Sequence, residues 1–100
     1  MLRIRSVEVL ENYWLRLALS DGTTVERNVL ELLWGPVFEG LRTDYAQFRR
    51  ARARHGTVVW PGDLDLAPET LIWGGPTPVG DPEPPSARLV LHHPTAQPIR

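Results

Sequence analysis

The sequence contains no cysteine and no lysine. The absence of cysteine excludes disulfide bonds and metal sites built from thiolates. No apolar run approaches the ~20 residues of a membrane-spanning helix. The N-terminus carries arginines but lacks the apolar stretch of a signal peptide. We therefore expect a cytoplasmic protein that does not interact with membranes.

The charges nearly cancel, with a net charge of −1, and every basic residue other than histidine is an arginine. A nearly neutral chain has no overall field that attracts DNA, RNA or an anionic membrane, so nucleic-acid binding would require a local basic patch. The length of 100 residues corresponds to one domain, and four tryptophans provide large apolar surfaces for its core.

The prolines divide the chain into two parts. Residues 1–73 contain three of the ten prolines, whereas residues 74–100 contain the other seven. We predict an α+β domain over 1–73 and a Pro/Gly-rich C-terminal extension over 74–100, which would be an extended linker or a flexible arm. Within the extension, residues 87–92 alternate in polarity and predict one strand, docked on the domain's own sheet or on a partner's.

Two hairpins are predicted after an opening strand. In the first, Leu15, Leu17 and Leu19 share one face, and Asp21–Gly22 is a dipeptide that tolerates the positive φ of a tight turn. The second turns at His55–Gly56. The fold class is therefore α+β, with a small antiparallel sheet built from hairpins and one or two short helices.

The helices are short and have recognisable start signals. Thr43 is the predicted N-cap of one helix, with Asp44 in its first turn, and Pro68 is the predicted first residue of another. Asp65 and Glu69 would help to satisfy the free N–H groups at the second start. The predicted core consists of Leu15, Leu17, Leu19, Phe38, Leu41, Phe48, Val59, Trp60 and Leu71.

The stretch RRARAR places an unusual density of arginines before an apolar run. In a strand, Arg50, Arg52 and Arg54 fall on one face, and the intervening alanines fall on the core side. One interpretation is a solvated sheet face, paired with Glu26 or Glu8 on neighbouring strands. The other is a basic face that binds an acidic protein or an RNA backbone, although three charges neutralise few phosphates.

Residues able to support catalysis are few. His55 lies in a predicted turn, and two consecutive histidines, His92 and His93, point to opposite faces of a strand and form a poor metal chelate. Asp63 and Asp65 have the spacing of a cation site or an acid/base pair, but a structural role at the helix start explains them better. We therefore predict no catalytic residues, no metal, no cofactor and no enzymatic activity.

Three stretches, LSDGTTVERNV, GPVFEGLRTDYAQF and GTVVWPGDLDLAPETL, resemble the bacterial domain of unknown function numbered 2442. The resemblance covers approximately residues 4–72 and implies a compact α+β domain with an antiparallel sheet. The sequence departs from the family pattern at W-P-G-D, where W-P-N-G is usual, and at L-R-T, where L-R-D is usual. The matching residues are Asp21, Gly22, Gly35, Phe38, Leu41, Arg42, Phe48, Trp60, Pro61, Asp65, Leu66, Pro68, Glu69 and Leu71.

The resemblance also implies a function. Members of that family are often encoded beside the domain of unknown function numbered 4160, in an arrangement that resembles a toxin–antitoxin pair. By resemblance, the chain is a protein-interaction module, the antitoxin-like member, with that small protein as its partner. Two alternatives are a nucleic-acid-associated module that uses Arg50, Arg52 and Arg54, and a self-associating structural domain, a homo-oligomer joined through residues 87–92.

Overall fold

The computed structural model of the chain describes residues 2–80 and 83–92, and the elements named here lie within those ranges. The strands are β1 Ile4–Val9, β2 Trp14–Leu19, β3 Thr24–Asn28, β4 Arg52–Arg54, β5 Thr57–Trp60, β6 Leu64–Leu66 and β7 Arg88–Val90. The α-helices are α1 Glu39–Thr43, α2 Tyr45–Phe48 and α3 Pro68–Trp73, and 3₁₀ turns cover Leu30–Leu32 and Pro36–Phe38. The α+β class is confirmed.

The strands form two sheets. The first sheet has the order β1-β2-β3-β7, and the second has the order β4-β5-β6. Both predicted hairpins are present, as the antiparallel pairs β2–β3 and β4–β5, but they lie in different sheets. The strand predicted in the C-terminal extension is β7, which docks on β3 of its own chain in the parallel direction. His93 lies outside the described residues.

The first hairpin turn is built as its sequence predicts. Gly22 has a φ of +91°, which glycine adopts without steric cost. The Asp21 carboxylate accepts hydrogen bonds from the backbone N–H of Thr23 at 3.0 Å and from its hydroxyl at 2.6 Å. Because these bonds favour the charged form, they hold the pKa of Asp21 below its usual value.

The core lies between the two sheets and the helices. Most of the predicted core residues are buried, and the strongest pattern, Leu15, Leu17 and Leu19, is at most 1% exposed. Phe38 and Val59 are the exceptions: both are only partly buried, and on β5 Val58 is buried instead of Val59. The hairpin register pairs Val59 with Arg52, so the two side chains share the outer face of the second sheet.

The predicted N-cap of the middle helix is wrong by one residue. Asp44 caps α2, and its carboxylate accepts a hydrogen bond from the N–H of Ala46 at 3.1 Å. Thr43 is instead the last residue of α1, and its hydroxyl donates to the Glu39 carbonyl. The preceding residues form a helix of their own, so Thr43 already has helical neighbours when α2 begins.

The predicted role of Asp65 at the start of α3 is also wrong. Asp65 lies in β6, opposite Val59, with its side chain exposed. The N-cap of α3 is Ala67, which makes no side-chain capping bond, while Pro68 occupies the first turn as predicted. None of the helices in the described ranges combines the length and the apolar character that crossing a bilayer requires.

Arg27 is a charged residue in the interior. It is fully buried and lies on the same face of β3 as Val25. Its guanidinium donates to the carbonyls of Leu71 at 3.0 Å and Ile72 at 2.8 Å at the end of α3, and to the carbonyl of Ser86 at 3.0 Å. A fourth bond joins it to the carbonyl of the preceding residue. The side chain therefore connects β3, α3 and the segment that leads into β7.

Candidate functional site

The outer face of the second sheet carries the predicted arginine face. Arg52 and Arg54 are exposed on β4, and Ala53 between them packs toward the core. Arg52 faces Val59 across the β4–β5 pair, and Val59 in turn faces Asp65 on β6. The alternation inferred for β4 is therefore present.

Arg50 precedes β4, in the turn that follows α2, yet it joins the same surface. Together with Arg52 and Arg54 it lines a shallow groove of about 230 Å³, which we call the arginine groove. The other side of the groove is formed by the end of β5 and the turn after it: Val59, Trp60, Pro61, Gly62 and Asp63.

The glutamates predicted to pair with these arginines bind elsewhere. Glu8 accepts from Arg16 at 2.7 Å, and Glu26 accepts from Arg16 at 3.2 Å and from Arg88 at 3.1 Å. Both glutamates lie in the first sheet, so the predicted pairing with the arginine face is wrong. Within residues 2–80 and 83–92, the guanidinium groups lining the arginine groove have no ion-pair partner.

Trp60 is at the edge of the arginine groove but turns its ring into the core. It is 1% exposed, and its indole N–H donates to the Phe48 carbonyl at 3.0 Å. The two rings stack with their centroids 5.7 Å apart. This packing fixes the end of β5, and the tryptophan ring itself is not available to a ligand. Beyond it, Gly62 and Asp63 have φ values of +85° and +62°, which turn the chain sharply into β6.

Arg3 adds a further cation at the turn of the second hairpin. Its guanidinium donates to the His55 carbonyl at 3.1 Å. It also covers Gly56 so closely that a Cβ there would lie 2.6 Å from the Arg3 Nε. The basic surface therefore continues from the arginine groove to the β4–β5 turn. The backbone N–H of Ile4 donates to the Gly56 carbonyl at 2.9 Å, which joins β1 to this turn.

The histidines and aspartates considered for chemistry are dispersed. His55 is in the β4–β5 turn, whereas His92 contacts Glu31 at 2.9 Å beside the first sheet. In the part of the chain that the structure describes, no three His, Cys, Asp or Glu side chains are grouped so that they could hold a metal ion. Among the described residues, the arginine groove is lined by three guanidinium groups and one carboxylate, Asp63, and its excess of positive charge suits it to binding anions.

The residues of the family pattern mainly build the fold. Gly35 has a φ of +85°, and Leu41 is buried. Arg42, which belongs to the same pattern, donates to the carbonyls of Leu33 and Gly35 and so holds the chain ahead of α1. These backbone contacts could not be inferred from the sequence, because carbonyl acceptors have no sequence signature.

A second group, not anticipated as a unit, joins the β1–β2 turn to the helices. The Tyr13 hydroxyl has one proton, which it shares between the carbonyls of Leu41 at 3.1 Å and Arg42 at 2.9 Å. The Tyr45 hydroxyl donates to the Leu10 carbonyl at 2.6 Å, and the two tyrosine rings meet edge-to-face at 4.8 Å. Burial raises the pKa of Tyr13. The available signal for this group in the sequence was that both tyrosines lie within a few residues of predicted core positions.

Comparison with known proteins gives a family but no function. No curated protein and no solved structure matched the chain. The profile of the family described as Protein of unknown function (DUF2442) matches residues 4–77. This range contains the arginine groove, all three α-helices and every described strand except β7. The chain therefore belongs to the DUF2442 family.

Proposed function

We propose that the chain is a non-enzymatic protein-interaction module whose arginine groove binds an acidic segment of a small protein partner. The observation that carries this proposal is that Arg50, Arg52 and Arg54 line one groove and form no ion pair with any other described residue. Guanidinium groups form paired hydrogen bonds with carboxylates, and a cationic groove accelerates association with an acidic surface.

An acidic protein segment fits the arginine groove better than a nucleic acid does. Single-stranded nucleic acids are bound by exposed aromatic platforms together with a long basic track. The ring of Trp60 is buried, so it offers no platform for stacked bases. Three cations would also give single-stranded nucleic-acid binding a modest salt dependence, with a slope of about −2 in log K against log salt.

The family resemblance supports a more specific role. We propose that the partner is the small protein encoded next to the chain, similar to the domain of unknown function numbered 4160. The chain would then be the antitoxin-like member of a toxin–antitoxin-type pair in the cytoplasm. An enzymatic activity is not proposed, because Asp63 is the one described side chain lining the arginine groove that could act as a general base, and it is exposed.

The proposal is tested by co-purification of the tagged chain with the product of the adjacent gene. The groove variant is Arg52→Ser/Arg54→Ser. The control variant is Arg5→Ser/Arg49→Ser, which removes the same charge from exposed positions that do not line the arginine groove. We expect the groove variant to weaken binding about tenfold or more, and the control to bind as the unchanged chain does.

Two probes identify the chemistry of the ligand. A glutamate-rich peptide should bind the unchanged chain at low salt, and a short single-stranded oligouridylate should bind more weakly. Equal losses in the groove and control variants, or no binding of the adjacent gene product, would contradict the proposal. Retention that disappears on nuclease treatment would favour the nucleic-acid alternative instead.

A further inference from the structure

The described residues include one strand outside the family-matched range, and that strand covers the edge of β3. β7 pairs in parallel with β3, so that Arg88 lies opposite Glu26 and Val90 lies opposite Asn28. The Leu91 N–H donates to the Asn28 carbonyl at 3.0 Å. We call residues 86–92 the C-terminal arm and the surface that it covers the β3 edge site.

The side chains of the C-terminal arm define what the β3 edge site accepts. Leu91 is 2% exposed and its side chain lies against Gly74, where a Cβ would be 3.5 Å from a Leu91 methyl group. The Arg88 guanidinium lies 3.6 Å from the centroid of the Trp14 ring and 3.1 Å from the Glu26 carboxylate. The site thus accepts an extended segment in which an arginine precedes a leucine by three residues.

The two ends of the connection to the C-terminal arm meet at one side chain. Arg27 donates through Nη2 to the Ile72 carbonyl and through Nη1 to the Ser86 carbonyl. The thirteen residues between them, 73–85, include five prolines. A connection of this length can span about 40 Å in an extended, proline-rich form. The connection is therefore far longer than docking within the chain requires.

We infer that the β3 edge site also receives the C-terminal arm of a second copy of this chain, so that two copies exchange arms in a symmetric dimer. Exchange preserves every contact of the site and requires only that the connection after Gly74 leads to the second copy. An unoccupied β3 edge would expose unpaired N–H and C=O groups, so it favours capture of a strand. Docking within one chain corresponds to an effective concentration of about millimolar, so exchange becomes prominent as the protein approaches that concentration.

The absence of cysteine makes a direct test by disulfide trapping straightforward. The variants Glu26→Cys and Arg88→Cys, each made in the full chain, place one thiol on either side of the β3–β7 pair. They are mixed from about 10 µM to about 1 mM, a range that reaches the effective concentration within one chain, and then oxidised. Arm exchange predicts a disulfide-linked heterodimer whose yield increases with concentration.

The matched control mixes Glu8→Cys with Arg88→Cys. Glu8 contacts the same Arg16 as Glu26 does, but it lies on β1, which β2 and β3 separate from β7. We expect the Glu26/Arg88 mixture to give about tenfold more heterodimer, or greater, than the control mixture. Sedimentation of the unchanged chain over the same concentrations should show a matching rise in dimer.

Equal yields in the two mixtures would mean random collision and would overturn the inference. A chain that remains monomeric near millimolar concentration, with no heterodimer from either mixture, would overturn it as well. The double variant Glu26→Cys/Arg88→Cys, which can close within a single chain, verifies that both substitutions leave the β3–β7 pair intact. The outcome does not depend on whether the arginine groove binds an acidic partner.

Discussion

At the scale of single residues, Arg27 connects three parts of the molecule, β3, α3 and the segment that leads into β7. Burial lowers its pKa to about 10, and the group therefore stays charged at neutral pH. Its charge is met by four backbone carbonyls rather than by a carboxylate in the described residues. The planar fork of arginine suits this arrangement, because several fixed donors are needed in one plane.

Replacing Arg27 with lysine should therefore destabilise the fold. An ammonium group cannot reach all four carbonyls, and those left without a donor would be buried. We expect Arg27→Lys to lower the free energy of unfolding by about 1–3 kcal/mol, measured by urea denaturation. Arg16→Lys is the control, since Arg16 forms its ion pairs on an exposed face, where the substitution should change stability far less. Equal effects of the two substitutions would contradict this explanation.

Asp21 offers a titration test at the same scale. Thr23→Val removes the hydroxyl that contributes most to the lowered pKa of Asp21. We expect this pKa to rise toward its usual value in an NMR titration, whereas Thr24→Val should leave it unchanged. Because the pKa is lowered in the folded state, its stabilising contribution exists above the unfolded pKa and is lost as the pH falls through the folded pKa. The Thr23 variant should lose less stability on acidification than the unchanged chain.

At the scale of secondary structure, the short helices depend on their caps. Asp44→Ala removes the carboxylate that accepts from the Ala46 N–H, and we expect a loss of about 0.5–2 kcal/mol in unfolding free energy. Thr43→Ala should cost less, because Thr43 ends α1 and caps nothing. Thermal and urea unfolding of the two variants decide between them. A greater loss of stability for Thr43→Ala would instead support Thr43 as the N-cap of α2, as predicted from the sequence.

The second hairpin shows what can be predicted when the alternation of a strand is combined with the length of its turn. A two-residue turn at His55–Gly56 requires Arg54 to face Thr57 and Arg52 to face Val59. Counting the register in this way would have moved Val59 from the predicted core to the arginine face. Similarly, period-two counting along β3 places Arg27 beside Val25 on the core face, so its burial also had a signal. β6 was not predicted, because its residues were assigned to the start of the following helix.

At the scale of the whole molecule, the sequence predicted the α+β class but not the division into two sheets. Which hairpins share a sheet depends on contacts between distant segments, such as the bond from the Ile4 N–H to the Gly56 carbonyl. The parallel direction of β7 likewise depends on the path of residues 74–87, which local periodicity does not encode. The three arginines of the arginine groove could be predicted from the sequence, but the turn that forms its other side could not.

The junction between the two sheets can be tested at Gly56. Gly56 and Gly22 both have a positive φ, but only Gly56 is covered, by the Arg3 guanidinium. Gly22→Ala should cost about 1–2 kcal/mol for the backbone alone. Gly56→Ala should cost about 0.5–1.5 kcal/mol more, because Arg3 must give up its bond to the His55 carbonyl.

The Arg3→Ala background separates the two contributions to the Gly56 variant. In that background the excess cost of Gly56→Ala over Gly22→Ala should disappear, because no guanidinium is left to displace. Chemical denaturation of the four variants gives the comparison. If Gly56→Ala still costs more than Gly22→Ala in the absence of Arg3, the extra cost arises in the turn itself and not from the contact between the sheets.

The contacts of Arg27 also order events during synthesis. Its acceptors follow it by 44 residues at Leu71 and by 59 residues at Ser86. At about 5–20 residues per second, β3 is made about 2–9 s before the end of α3 and about 3–12 s before the segment that leads into the C-terminal arm. During that interval the Arg27 guanidinium lacks these acceptors, so we expect it to stay hydrated until α3 and the segment before β7 pack against it. The hairpin of β2 and β3 is therefore made early but reaches its final packing late, when the last of the carbonyl acceptors has left the ribosome.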